Sequence, residues 1–250
     1  MADGSGTPAI ELRAVTKAFG ARCVLDGISL VVPEGRAVCI LGRSGTGKSV
    51  ALKHIVGLLK PDAGRVLVKG EDITLMTASE LVPIRRRIGF LFQNAALFDS
   101  ISVGENVAFP LRRHRRLGES AIRTRVLQRL ADVGLGAEYD TMPADLSGGM
   151  RKRAGLARAL ALDPELLLAD EPSAGLDPVT AGEIDALLVK LKRTGITLLA
   201  VTHNIPSARV LADELVFLHD GRVLARGSSG DLDRSEHALV REFMRSEGAG

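Results

Sequence analysis

Alternation of apolar and polar positions marks the first strands of the chain. Ile10-Glu11-Leu12-Arg13-Ala14-Val15 and Gly27-Ile28-Ser29-Leu30-Val31-Val32 place every second residue on an apolar face, the period of a half-buried strand. Ala37 to Leu41 is continuously apolar, which predicts a strand buried on both faces. From Ser49 the period lengthens. Leu52, Ile55, Val56 and Leu59 share one side of a helix predicted over 49–59, weakened by Gly57 and closed by Pro61. Residues 93–163 read mostly as helix, with loops at Gly118, Gly134–Gly136 and Met142–Pro143. Strand-type runs return at Leu166–Asp170 and Ile196–Thr202. Between them Asp177 can cap a helix whose first turn holds Pro178. Its apolar stripe is Ile184, Leu187, Leu188 and Leu191, and Gly195 follows its basic end. Residues 214–227 predict a hairpin turning at Asp220-Gly221, and 236–246 a short helix. The pattern is an α/β core interrupted by a helical insert, without internal repeats.

Composition narrows the function classes. The chain has 250 residues, 46% apolar and 25% charged, the balance of a globular protein with a substantial core. A net charge of +3 gives no strong basic excess, so no nucleic-acid partner is expected. No apolar stretch approaches the ~20 residues that span a bilayer. Met1 to Thr7 is small and polar, unlike a signal peptide, so a cytosolic location is expected, with membrane contact through a partner. Cys23 and Cys39 show no metal-ligand spacing, and Cys39 reads as a small core residue. His54, His114, His219 and His237 likewise lack ligand spacing. The basic runs Arg85–Arg87 and Arg112–Arg116 read first as solvated faces, the second alternatively as a contact for lipid headgroups or an acidic partner loop.

Candidate chemistry begins at Gly42-Arg43-Ser44-Gly45-Thr46-Gly47-Lys48-Ser49, which fits GxxxxGK[ST] between a buried strand and a helix. Glycines allow the backbone to turn its N–H groups inward on phosphate oxygens, and the helix N-terminus adds partial positive charge. Lys48 should reach the β- and γ-phosphates, and the Ser49 hydroxyl should ligate Mg²⁺. A second element, Leu166-Leu167-Leu168-Ala169-Asp170-Glu171, ends a buried strand in two carboxylates. Taken alone it is more often a solvated strand exit. Downstream of a phosphate loop, Asp170 is placed to hold Mg²⁺ and Glu171 to polarise an attacking water.

Leu146-Ser147-Gly148-Gly149-Met150 resembles the LSGGQ signature of ABC ATPases. Ser147 can cap the helix that follows, leaving the N–H groups of Gly148 and Gly149 as a second phosphate site. The resemblance extends from about residue 8 to 227. It implies that Phe19 stacks on adenine, where tyrosine is commoner, although Phe19 also reads as a core residue at a strand end. It implies that Gln93 is the Q-loop glutamine, contacting the metal and nucleotide, that Ser173-Ala174-Gly175-Leu176-Asp177 is the D-loop, with Asp177 near nucleotide, and that His203 is the switch histidine. It further implies the fold: a P-loop NTPase (RecA-like) core with an N-terminal antiparallel β subdomain and an inserted α-helical subdomain. Core and β subdomain would occupy 8–92 and 164–250, the insert 93–163, and a flexible N-terminus 1–7. Two such subunits would pair head to tail, with ATP between one phosphate loop and the other's signature, Glu171, His203, Gln93 and Lys48 acting in hydrolysis.

The insert is short, with no sustained heptads and no CxxC, and one ATPase module is present, which favours a transporter over the non-transport ABC branch. Met150 replaces the usual glutamine of the signature. The strings Leu146–Ala159, Phe92–Ser100 and Val103–Leu111 resemble the ATPases of MCE/Mla lipid-transport systems. That resemblance implies a homodimer on the cytoplasmic side of the inner membrane, held by an integral-membrane permease, with STAS-domain and MCE-domain proteins as further partners. The alternative is the motor of a small-solute importer, such as one for amino acids.

Overall fold

The computed structural model describes residues 6–114 and 117–246. Most of the expected N-terminal stretch 1–7, Arg115 and Arg116 of the second basic run, and the end of the chain lie outside the described residues. The first strands are β1 (Ile10–Phe19), β2 (Arg22–Val32) and β3 (Ala37–Leu41), followed by α1 (Lys48–Ile55). Next come β4 (Ala63–Val68), β5 (Glu71–Asp72), α2 (Leu81–Arg86) and β6 (Ile88–Leu91). Three helices follow, α3 (Val103–His114), α4 (Glu119–Asp132) and α5 (Gly148–Ala159). The remainder runs β7 (Leu166–Asp170), α6 (Pro178–Arg193), β8 (Thr197–Thr202), α7 (Ile205–Leu211), β9 (Glu214–His219), β10 (Arg222–Gly227), α8 (Ser229–Asp233) and α9 (Ala238–Arg245).

Two sheets result. An antiparallel sheet has the order β2-β1-β4-β5, and a six-stranded sheet the order β10-β9-β3-β8-β7-β6. In the larger sheet β9, β3, β8, β7 and β6 are parallel and β10 closes the edge antiparallel. Strand β3 alternates its side chains between two cores, because successive residues of a strand point to opposite faces. Val38 and Ile40 pack with α1 and the antiparallel sheet, while Ala37, Cys39 and Leu41 pack against the helices on the other face. Cys39 is thus the core residue its apolar context predicts, and burial holds its thiol protonated.

Helix α1 ends sooner than its apolar stripe suggests. Gly57, at φ +63°, is not a weak interior residue but the stop: its N–H bonds His54 O at 3.0 Å and that of Leu58 bonds Lys53 O at 2.9 Å, the paired bonds of a Schellman end. Arg85 caps the same end, donating to Val56 O at 2.9 Å and Gly57 O at 3.0 Å. The run Arg85–Arg87 is therefore not a solvated face. Arg87 pairs with Glu165 and Glu71 across the sheet edge, leaving Arg86 exposed. In the second run, Arg112 bridges Glu105 and Glu119.

Candidate active site

Parallel strands with the order β3-β8-β7 bring three chain segments to one sheet edge. Leu41 pairs with Thr202 and Asp170 with Val201, so the exits of β3, β8 and β7 lie side by side. Ligand sites form at such carboxyl ends. The exit of β3 is the loop 42–47, which turns into α1 through Gly47 at φ +99°. A Cβ there would stand 2.8 Å from both Val24 O and Leu25 Cδ2, so glycine is required by backbone angle and by space. No side chain caps α1 and no acidic residue occupies its first turn, which leaves its N–H groups facing the loop.

Lys48 is 5% exposed and curls back into the loop, donating to Gly42 O at 2.8 Å and Arg43 O at 3.0 Å. Its amine also lies 3.6 Å from Glu171 Oε1. Burial lowers its pKa, and the Glu171 carboxylate opposes that shift. Ser49 Oγ donates to Asp170 Oδ1 at 2.7 Å. Burial raises the Asp170 pKa and the neighbouring Glu171 charge adds to it, against the Ser49 bond. Asp170 is thus a carboxylate whose charge is poorly compensated by protein alone, in contact with a hydroxyl oxygen.

Glu171 sits just beyond β7 with φ +48°, a left-handed backbone that a side-chain-bearing residue rarely adopts. Such strain gathers at functional sites and needs strong local support. Here Thr202 Oγ1 donates to Oε2 at 2.9 Å, His203 N to the same oxygen at 3.3 Å, and His203 Nδ1 to Oε1 at 3.0 Å. The carboxylate is 9% exposed and the imidazole 60%, so His203 is a solvent-facing group braced by a buried one rather than a satisfied core histidine.

Lys48, Ser49, Glu171 and His203 line one cleft of about 330 Å³ together with Phe19, Arg22, Ser44, Gly45 and Gln93, while Asp170 reaches it through its bond to Ser49. Phe19, 48% exposed at the end of β1, belongs to this cleft and not to the core. Gln93 is exposed at its mouth.

Ser147, Gly148, Gly149 and Asp177 do not line that cleft. Ser147 caps α5, its Oγ accepting from Met150 N at 3.2 Å, and Ser147 and Gly148 are exposed. Asp177 caps α6, accepting from Val179 N and Thr180 N at 3.0 and 3.1 Å and from Thr180 Oγ1 at 2.6 Å. Asp177 is exposed and holds the α6 N-terminus; it does not reach the cleft of its own subunit.

Two residues of this neighbourhood carry no motif of their own. Thr202 was visible as a strand-end threonine beside a histidine. Lys152 follows the signature by two residues, is 5% exposed, and donates from Nζ to Glu171 O at 2.8 Å. Burial lowers its pKa to about 8, against the pull of the Glu171 and Asp170 carboxylates. Among the described residues no cluster of three His, Cys, Asp or Glu could hold a metal by itself, and no helix is long and apolar enough to cross a membrane.

Comparison with known proteins matches residues 25–174 to the ABC transporter family. The chain is 43% identical over 242 residues to the probable ribonucleotide transport ATP-binding protein mkl of Mycobacterium tuberculosis, covering 96% of this chain and 67% of that one. It is 41% identical over 236 residues to the intermembrane phospholipid transport system ATP-binding protein MlaF of Escherichia coli K12, covering 94% of this chain and 88% of that one. Among solved structures, a dimer of MJ0796, a bacterial ABC transporter cassette, superposes with a TM-score of 0.83 at 36% identity, covering 88% of this chain and 98% of that one. The same cassette is also known as a dimer in a post-hydrolysis state bound to ADP and Pi, with a TM-score of 0.82.

Proposed function

The chain belongs to the ABC transporter ATP-binding family and is an ATPase, and on that premise we propose that two copies of it share two ATP sites and drive an MCE/Mla-type lipid transporter. The observation that carries the shared-site reading is the division of phosphate-binding elements. One cleft holds the phosphate loop, Gln93, Glu171 and His203, while the exposed end of α5 at Ser147 and Gly148 opens elsewhere. Each is half of a site, and a head-to-tail pair joins them.

In the closed pair the loop 42–47 and the α1 N-terminus bind the phosphates, and Lys48 leaves Gly42 O and Arg43 O to meet the β- and γ-oxygens. Phe19 stacks on the base. Glu171, held by Thr202 and His203, orients and deprotonates the attacking water, while His203 and Gln93 face the γ-phosphate. Ser49 Oγ and Asp170, with the Gln93 amide, are hard oxygen donors suited to Mg²⁺, whose remaining ligands would be phosphate oxygens and water. When bound, Mg²⁺ offsets negative charge on the phosphates. Asp177 contributes by shaping the α6 N-terminus at the junction of the two subunits.

The assignment of 8–92 and 164–250 to a nucleotide-binding core with its β subdomain, and of 93–163 to a signature subdomain, belongs to this reading. So does the site of membrane attachment. A groove beside α3 exposes Phe98 and Phe109 at 45% and 50%, with their rings 5.0 Å apart. It is suited to a short apolar helix of an integral-membrane permease on the cytoplasmic side of the inner membrane. STAS-domain and MCE-domain proteins complete the assembly, without nucleic acid.

The lipid cargo rests on the identity to MlaF and on the signature Leu146–Met150 with its methionine. A water-soluble cargo is the competing reading, favoured by the mycobacterial relative named for ribonucleotide transport. The test is co-purification with the permease that the tagged chain captures, followed by reconstitution in liposomes carrying a fluorescent phospholipid. ATP-dependent transfer of that lipid is expected. Transfer of a ribonucleotide or amino acid, with the phospholipid unmoved, would overturn the lipid assignment.

A further inference from the structure

Among the described residues, the buried Lys152 has no part in the hydrolytic machinery. Lysine is rarely buried without a specific partner, and Lys152 spends its charge on a peptide carbonyl, that of Glu171. That residue is the strained one. Its N–H donates to Val201 O at 2.9 Å and its carbonyl also accepts from Ala174 N at 3.2 Å. Its carboxylate is held by Thr202 and His203. Those partners lie in or just beyond β7 and β8, and Lys48, at the start of α1, stands 3.6 Å from Oε1. Lys152 differs in coming from α5, the helix whose N-terminal end carries Ser147 and Gly148.

Helix α5 is held closely at two further points. A Cβ on Gly149 would stand 2.3 Å from Thr180 Cγ2 of α6. Farther along, Arg158 donates to Ala95 O and Ala96 O, each at 2.7 Å, just after Gln93. Four residues separate Ser147 from the Lys152 turn, roughly 6–8 Å of helix, too short to bend appreciably. A displacement of the signature end is therefore carried to the Glu171 peptide without slack.

We propose that Lys152 is a positioning residue that couples the signature end of α5 to Glu171 of the same chain, so that nucleotide gripped by the signature in one shared site sets the hydrolytic carboxylate of the other. The proposal rests on the shared-site reading above. It assigns Lys152 no contact with ATP.

Lys152→Met keeps the stem and removes the donor. In the full transporter, kcat for ATP is expected to fall about 10- to 100-fold, the scale of a small misplacement of a reacting group, with KM for MgATP unchanged. Lys152→Arg, which keeps a donor, should recover most of the rate. The same Lys152→Met change is also made in a Glu171→Gln background, and ATP-driven dimerisation is measured by light scattering. A Glu171→Gln protein that fails to dimerise with MgATP overturns the shared-site reading itself. If Glu171→Gln dimerises and the double variant does too, while Lys152→Met alone is slow, the proposal stands. Loss of dimerisation in the double variant, a rise in KM that accounts for the lost rate, or an unaltered kcat each overturns it and leaves the shared sites intact.

Discussion

Thr202→Val removes one buried hydroxyl and tests whether the Glu171 carboxylate works by being held. Thr202 is 1% exposed, and valine fills the same volume. Its Oγ1 donates to Glu171 Oε2 at 2.9 Å and accepts from Asn204 N at 3.0 Å. After the change the carboxylate keeps the two His203 donors, at 3.3 and 3.0 Å. A hydrogen bond to a charged group contributes about 1.5–3 kcal/mol. If that bond is used fully to aim the carboxylate at water in the transition state, each ~1.4 kcal/mol costs tenfold, and kcat falls about 10- to 150-fold. KM for MgATP should stay constant, because Thr202 is not among the residues lining the nucleotide cleft. The orphaned Asn204 N–H also lowers stability, by about 1–3 kcal/mol. Phosphate release against MgATP concentration, with thermal unfolding in the same buffer, separates the two effects, and Thr202→Ser serves as the control that keeps the hydroxyl. A kcat within twofold of the parent, or a KM that rises in step with lost rate, would refute the reasoning.

Other changes probe separate parts of the account. Gly149→Ala places a Cβ 2.3 Å from Thr180 Cγ2, so α5 and α6 must part; a loss of about 1–3 kcal/mol is expected by chemical denaturation. Ser147→Ala deletes the cap of α5 and should cost about 1 kcal/mol while weakening ATP-driven pairing, read by light scattering. Asp213 lies far from the cleft and tests the electrostatics of the frame. Burial would raise its pKa, but the Ala37 N–H and Lys192 outweigh that and hold it below its ordinary 3.8. A depressed carboxylate pKa gives stability that is present above 3.8 and is lost as pH falls below it. Asp213→Asn should therefore be less stable than the parent at pH 7 and should show a flatter loss below pH 4, measured by urea unfolding across pH.

How much the sequence disclosed depended on whether a signal was local. Strands β3 and β7 appear at their expected bounds because an unbroken apolar run between breakers has one reading. The cap of α6 by Asp177 and the turn at Asp220-Gly221, with φ of +45° and +73°, are equally local. The stretch from β4 to β6 gave no clear pattern: β5 has two residues, and β4 begins with three exposed ones. The end of α1 is not legible in the periodicity, because Leu59 continues the stripe, whereas Gly57 and Arg85 end the helix through bonds that periodicity does not register. The phosphate loop, Glu171 and His203 were legible as motifs, and the cleft brings them together with Phe19 and Gln93. What supports Glu171 was not legible. The hold of Thr202 spans 31 residues and that of Lys152 spans 19, and neither residue type at its position signals a partner.

The central claim is that each ATP is hydrolysed between the phosphate loop of one subunit and the signature of the other. Mixing Ser147→Arg subunits with Lys48→Ala subunits, each inactive alone, tests it most directly. In a mixed pair both lesions fall on one site, and the other keeps an intact Lys48, Glu171 and partner signature. The account predicts that ATPase activity returns on mixing and is greatest near equal proportions. Activity that stays absent at every ratio, although the mixed pair forms, would contradict it.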